Sequence, residues 1–304
     1  MPIQRRNLSA RSGKDKQTLL KVTEGIELMK FLLAQLPGKG RNHIKLLLAH
    51  RQISVDNEVI TQFNYPLEVG QQVMVNWTKV QGESGLQGLK ILFEDQYLIV
   101  IEKQSGLLSI ATTKEKDQTA YSILSRHVKR ENPKNGIFVV HRLDKDTSGV
   151  MMFAKNQDVQ QVLQKSWKEI VIERSYVLVV EGTVTKEQGT ITSWLKESKT
   201  LIMYSSPVPN EGQKAITHYQ VLNKNNNFSL LEVELETGRK NQIRVHMQDL
   251  GHSVAGDKKY GATKNPINRL ALHARVLTFR HPVTGQEMHF ETNIPKQFLT
   301  LFNS

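Results

Sequence analysis

The sequence predicts an α+β protein: a mixed, mainly antiparallel sheet with peripheral helices, preceded by a small basic α/β unit. Three observations predict it. Beyond residue 89, apolar strand-like runs are dense but lack the strand–helix rhythm of a doubly wound domain. Helical periodicity is sparse in that region. The charge is also uneven: of a formal net +12, residues 1–80 carry twelve Lys or Arg against six Asp or Glu, half the surplus in about a quarter of the chain.

Residues 1–17 are polar and basic without periodicity and are read as a disordered arm. A small basic unit is placed at 18–80. Within it, Ile26, Met29, Phe31, Leu32, Leu33 and Leu36 form a wide helical stripe, stopped by Pro37 and Gly38. A second helix follows, with Ile44, Leu47 and Leu48 on its apolar face and Arg41, Lys45 and Arg51 free to lie toward solvent. ISVDNEVI alternates around Asp56–Asn57, a hairpin signal, and LEVGQQVMVNW supplies another turn and strand.

QGESGLQG, residues 81–88, reads as a linker to a larger unit at 89–304. LKILFEDQYLIVIEK suggests two strands around Glu94–Asp95, and SYVLVVEG and FSLLEVELETG suggest two more. QIRVHMQ also alternates, Ile243, Val245 and Met247 against Arg244, His246 and Gln248, and is assigned as a strand. Helices are placed at 119–130 and from Asp158 to Glu169. NKNNN and TKEQGT read as surface turns.

The chain has 304 residues and no cysteine, which excludes disulfides, thiolate nucleophiles and cysteine zinc sites. No apolar run approaches the roughly 18 residues of a spanning helix, and the start lacks a secretory apolar core. A cytoplasmic protein with no membrane partner is expected. The basic surplus favours a polyanionic partner. The ten histidines show no metal-ligand spacing, and phosphate-cradling glycine motifs are absent. His246, His252 and His273 are read as hydrogen-bonded structural residues.

Three residues are candidates for chemistry. Asp144 lies in HRLDKDTSGV, a charged stretch between the apolar runs 137–140 and 150–153. An acid held there must be paired or hydrogen-bonded, with Arg142 as a local partner. Arg244 has no acidic neighbour closer than Asp249, so a distant carboxylate should meet it. A guanidinium clamp would keep that acid charged and aimed, as a carboxylate nucleophile requires and as a structural ion pair would show too. Tyr176 either packs a strand or lines a cleft, where its ring could stack on a base.

Roughly residues 24–77 resemble the S4-type RNA-binding domain, through the helix with Leu28, Leu32 and Leu36, the Arg41-to-Arg51 element and ISVDNEVI. The family grips RNA with its second helix, which implies Arg41, Lys45 and Arg51 as contacts; Gly40 stands where the family often has Ser. HRLDKDTSGV, FAK at 153–155, ERSYVLVVEG at 173–182, and the blocks 230–261 and 270–285 resemble the RluA-type pseudouridine synthases. The resemblance implies isomerisation of uridine to pseudouridine in RNA, without cofactor or metal. It places the signature aspartate on Asp144, the motif tyrosine on Tyr176 and the arginine partner on Arg244. Arg142 and Asn241 join the RNA-contact set. The family commonly reads HQIR where this chain reads NQIR, and Pro where it has Ser253.

The implied partner is structured RNA, ribosomal RNA of the large subunit first and tRNA second, bound by a monomer. Two other classes stay open on the residues alone. A glycoside or nucleoside hydrolase would want a second catalytic carboxylate, which the sequence does not offer. A non-catalytic RNA-binding or ribosome-assembly protein would not need Asp144, Tyr176 and Arg244 together.

Overall fold

The computed structural model describes residues 17–49, 52–56, 58–77, 86–113, 115, 117–209 and 211–303. The chain divides into two units, Met1–Ser84 and Gly85–Ser304. The basic arm at 1–16 and most of the glycine-rich linker, 81–85, lie outside the described residues. Gln17, read as the end of the arm, opens a strand.

The first unit runs β1 (Gln17–Lys21), β2 (Ile26–Glu27), α1 (Leu28–Gln35), α2 (Arg41–Ala49), β3 (Ile53–Val55), β4 (Glu58–Val59), β5 (Pro66–Leu67) and β6 (Gln72–Asn76). Strands β1, β6, β3 and β4 form one sheet in that order, and β2 pairs with β5. Ile26, assigned to the first helix from its spacing, instead pairs with Leu67, and the helix starts two residues later. Leu28, Leu32, Ile44 and Ile53 are fully buried together. Asp56 takes φ +48° at the hairpin turn; Asn57 lies outside the described residues.

The second unit runs β7 (Leu89–Glu94), β8 (Leu98–Lys103), α3 (Ala120–Glu131), β9 (Phe138–Val139), β10 (Ser148–Ala154), α4 (Gln157–Lys165), α5 (Trp167–Ile170), β11 (Val171–Glu181), β12 (Gln188–Glu197), β13 (Met203–Ser206), β14 (Gln213–Lys224), β15 (Phe228–Leu235), α6 (Gln242–Asp249), β16 (Leu272–Arg280), β17 (Glu287–Glu291) and α7 (Lys296–Leu299). Eleven strands make one sheet whose main path is β13-β12-β14-β15-β11-β16-β10-β8-β7. Among the described strand pairs only β10 and β16 run parallel, so the sheet is mixed and mainly antiparallel. No helix of the described residues is long and apolar enough to cross a membrane.

Residues 98–101 of β8 and 150–154 of β10 are apolar without interruption because both sheet faces are covered there. Ile99, Ile101, Met151 and Phe153 pack with Ile123 and Leu124 of α3. Leu98, Val100, Val150 and Met152 pack with Val159 and Leu163 of α4. Thr119 and Ser122 cap α3 reciprocally, each backbone N–H donating 3.0 Å to the other's hydroxyl. The helix assigned to 158–169 breaks at Ser166, which makes α5 a separate turn; within α4, Val159 and Leu163 are buried and Val162 is exposed. The TKEQGT turn is shorter than its sequence suggests, since Gln188 already begins β12.

The segment 242–248 is a helix, not a strand. Gln242, Ile243, Val245, His246 and Met247 are all buried, so burial leaves no face for a period to report. The stop signal was Gly251: with φ +84°, it closes a Schellman motif in which His252 N donates to Met247 O and Gly251 N to Gln248 O, both 2.9 Å.

Candidate active site

Asp144 sits in the turn that feeds β10, and that turn is fastened from below. The Lys103 side chain, fully buried, donates to the carbonyls of Gln104 (3.0 Å), Leu107 (2.8 Å) and Lys145 (3.0 Å). Ser109 Oγ donates to Leu143 O at 2.6 Å, Ser105 Oγ to Asp146 O at 2.7 Å, and Gly106 N to Lys145 O at 3.0 Å. Burial pushes the Lys103 amine down to about 7, against the pull of Asp146 and Asp144. Gly149 completes the exit. Its φ is +117°, and a Cβ there would lie 2.0 Å from the carbonyl oxygen of Ala274, so only glycine lets β10 press onto β16.

The same register aligns the tyrosine. Ala274 pairs with Gly149 on one side and with Tyr176 of β11 on the other. Two strand spacings therefore set Tyr176 and the turn roughly 10 Å apart along the sheet. Arg142, Asp144, Tyr176, Asn241 and Arg244 line one pocket of about 80 Å³. Burial raises the Tyr176 phenol above its ordinary pKa; Arg174 opposes this and Asp144 adds to it.

Arg244 projects from the first turn of α6, which Gln242 staples down: its amide donates to Ile216 O and Thr217 Oγ1, both 2.9 Å, and accepts from Arg239 N at 3.0 Å. The guanidinium is divided. Nε and Nη2 donate to the two oxygens of Asp257 at 2.6 and 2.8 Å, while Nη1 donates to Asp144 Oδ2 at 3.1 Å and Asn241 Oδ1 at 3.2 Å. Asn241 also donates to Tyr260 Oη at 2.8 Å, and the Tyr260 ring lies 4.7 Å from the guanidinium. Burial works against the charge on Arg244, but Asp257 and then Asp144 outweigh it and hold its pKa above the ordinary arginine value. Among the described residues, Asp144 Oδ1 has no hydrogen-bond partner.

The distant carboxylate expected to meet Arg244 is thus Asp144, together with a second one, Asp257, that sequence reasoning missed. Asp257 stands in AGDKKYG, where an acid between two glycines, ahead of a buried tyrosine, was the available signal. Lys103 was also missed; it closes a strand whose first four residues, 98–101, are apolar and fully buried. Arg142 is exposed and does not pair with Asp144, because Arg244 has taken that place. Asn241 lies inside the network, bonded to Arg244 and Tyr260. Arg41 and Lys45 are exposed on α2 of the first unit, and Arg51 lies outside the described residues.

His246 lies between Ser193 and Thr217, His273 between Ser148 and Thr292, and His252 meets Glu181 O. Burial pushes His246 and His273 from 6.5 down to about 4. The unfolded chain therefore takes up protons below 6.5 that the folded chain refuses until about pH 4, and stability falls with pH across that window. Each histidine contributes up to about 1.4 kcal/mol per pH unit. Urea unfolding at pH 7.5 and pH 5 checks this. His246→Gln should lose about 2 kcal/mol less than wild type between the two, and equal losses would contradict it.

Comparison with known proteins supplies the family. The profile of the RNA pseudouridylate synthase family matches residues 97–249. A Bacillus subtilis protein named as an uncharacterized RNA pseudouridine synthase, YlyB, is 34% identical over 282 residues, 90% of this chain and 92% of its own. A protein of Zymomonas mobilis named ribosomal large subunit pseudouridine synthase D is 34% identical over 228 residues, 70% of this chain and 72% of its own. The solved structure of human RNA pseudouridylate synthase domain containing 4 superposes with a TM-score of 0.57 at 25% identity, covering 69% of this chain and 90% of that one. With the RluA-type blocks in place on this sheet, the chain belongs to the RNA pseudouridine synthases, enzymes that isomerise uridine within RNA.

Proposed function

We propose that this enzyme isomerises particular uridines in structured RNA, large-subunit ribosomal RNA first and tRNA as the alternative, with Asp144 as the nucleophilic carboxylate and no cofactor. The observation that carries this is the free oxygen of Asp144. Arg244 spends two donors on Asp257, so it holds Asp144 by one oxygen and leaves the other open in the pocket that Tyr176 lines. The ribosomal preference draws on relatives named large-subunit pseudouridine synthases.

In this reading the target nucleotide leaves its helix, and its uracil stacks on Tyr176. The open oxygen of Asp144 faces the ribose and acts either at C1′ or through a glycal. As the N1–C1′ bond breaks, either an Asp144–C1′ ester forms or C2′ gives up a proton to Asp144; the freed uracil turns, C5 bonds to C1′ as that ester breaks or that proton returns to C2′, and C5 then loses its proton while N1 gains one. Water must be kept from C1′ while the uracil is free, and the seated nucleotide itself fills the space beside Asp144. Arg142 and Asn241 contact the RNA near the pocket.

The first unit, in this reading an S4-like domain at 18–80 joined through 81–88 to the catalytic domain at 89–304, grips phosphates through Arg41, Lys45 and Arg51. The enzyme works as a cytoplasmic monomer. Each lost phosphate contact should flatten the dependence of log affinity on log salt by roughly 0.7–0.9. Arg41→Ala/Lys45→Ala should therefore bind RNA more weakly and with a smaller slope across about 50–300 mM salt. Parallel lines of equal affinity would remove the grip.

The function is tested by base-resolved chemical labelling of pseudouridine in RNA from a strain lacking the gene, with and without the wild-type chain restored. Sites that vanish and return identify the RNA. No change at any uridine would overturn the proposal.

A further inference from the structure

Beside the Asp144 pocket lies a larger cavity of about 570 Å³, lined in part by His141, Arg142, Trp167, Arg174, Tyr176 and Arg239. The mechanism above uses only its edge. Arg142, Tyr176, Leu235 and Arg239 line both spaces, so the cavity opens onto the reaction site rather than standing apart from it.

Its chemistry is specific. The His141 and Trp167 rings meet at 5.0 Å with a 43° tilt, and the Arg174 guanidinium lies 6.0 Å from the Trp167 ring centre. Arg174 has only carbonyl acceptors, Leu235 O at 3.0 Å and Glu236 O at 3.4 Å. Among the described residues no carboxylate pairs with it. Gly238 makes room: a Cβ there would fall 2.7 Å from Arg174 Nη1. The wall carries five cations, with Lys165 and Lys168 beside the three arginines, against two carboxylates, Glu169 and Glu236. Met152 N donates to His141 Nε2 at 3.1 Å. That nitrogen is therefore unprotonated, and the neutral ring keeps Nδ1–H as its one donor.

An aromatic face, a guanidinium without a counter-ion and a lone N–H donor are what an unpaired nucleotide meets in single-strand recognition. The volume lies within the about 300–1,000 Å³ of built ligand sites. We propose that this cavity is a second nucleotide subsite: it takes the base of a residue adjacent to the target uridine, stacked on Trp167, with the phosphate held by Arg174 and Arg239. The enzyme thereby selects uridines that have an unpaired neighbour. This rests on the RNA reading above and adds a requirement to it.

The test is a cycle between enzyme and substrate, run on a synthetic RNA spanning a uridine found by the mapping experiment. Trp167→Ala should lower kcat/KM about 5- to 150-fold, the loss carried by one base–aromatic stack, and Trp167→Phe should recover most of it. An abasic residue at one flanking position should slow wild type by a similar factor and slow Trp167→Ala no further. A Trp167→Ala chain with wild-type kcat/KM, or full additivity at both flanks, overturns the subsite and leaves the enzyme's function standing.

A second readout does not need turnover. The chain has three tryptophans, so Trp77→Phe/Trp194→Phe isolates the Trp167 fluorescence. A nine-residue oligouridylate should quench it saturably, with weaker affinity in Arg174→Gln. Absence of quenching at saturating oligonucleotide overturns the subsite. If no RNA is modified yet quenching saturates, the proposed reaction falls and the subsite stands.

Discussion

Asp144→Asn is expected to leave no detectable pseudouridine at the sites that wild type restores, a loss on the order of 10⁴-fold or more, about 5 kcal/mol of barrier. The substitution keeps the size of the side chain and one carbonyl oxygen, so Arg244 Nη1 retains an acceptor and the turn keeps its backbone bonds to Lys103 and Ser109. What disappears is the negative charge and the open oxygen. RNA affinity should change by less than about threefold, since the carboxylate repels phosphate if it does anything to it. The comparison is base-resolved labelling alongside filter binding of the same RNA. Equal modification by wild type and variant would end the nucleophile assignment.

The second large effect is expected at Asp257, which is buried behind Arg244. It is a positioning residue: by occupying Nε and Nη2 of Arg244 it prevents the guanidinium from presenting a two-pronged face to Asp144. Asp257→Asn offers one acceptor in place of two and removes a charge. Arg244 should then turn toward Asp144 and tie up both of its oxygens. We expect kcat to fall about 10²- to 10³-fold, with KM for RNA changed less than about threefold, because the loss lies in the aim of a group and not in binding. Breaking a buried pair from one side also costs about 3–5 kcal/mol of stability when the remaining charge is unpaired. Here Asp144 still pairs with it, so the cost should sit at or below the lower end. Asp257→Glu, which keeps the charge, should recover part of kcat. A folded Asp257→Asn chain with wild-type kcat would show that the division of the guanidinium has no catalytic consequence.

Legibility in the sequence followed the physics of each segment. The continuous apolar runs of β8 and β10 announce strands covered on both faces, and α3 shows its stripe because one face meets solvent. Strands β12 and β14 were harder to see. Polar residues such as Gln188, Thr190 and Lys214 cover their outer positions and read as loop. Helix α6 was misassigned because a segment buried nearly all round has no amphipathic period, and Ile243 and Val245 favour strands in isolation. Its Gly251 stop was present but carried less weight than the alternation. The Asp144–Arg244 contact was anticipated because an arginine without local acids must find one elsewhere. Its division by Asp257 was not, since nothing in a sequence tells which of two acids takes which nitrogen.

The parallel seam between β10 and β16 bears on the order in which the molecule is made. Ser148 and His273 are bonded across 125 residues, and Asp144 and Arg244 across 100. Closing loops of that length is slow, and during synthesis neither partner is available until the ribosome has passed it. The first unit, with its own core of Leu28, Leu32, Ile44 and Ile53, is complete long before. A nascent chain therefore carries its basic front end well ahead of the rest, and Asp144 gains its frame only when the last strands dock.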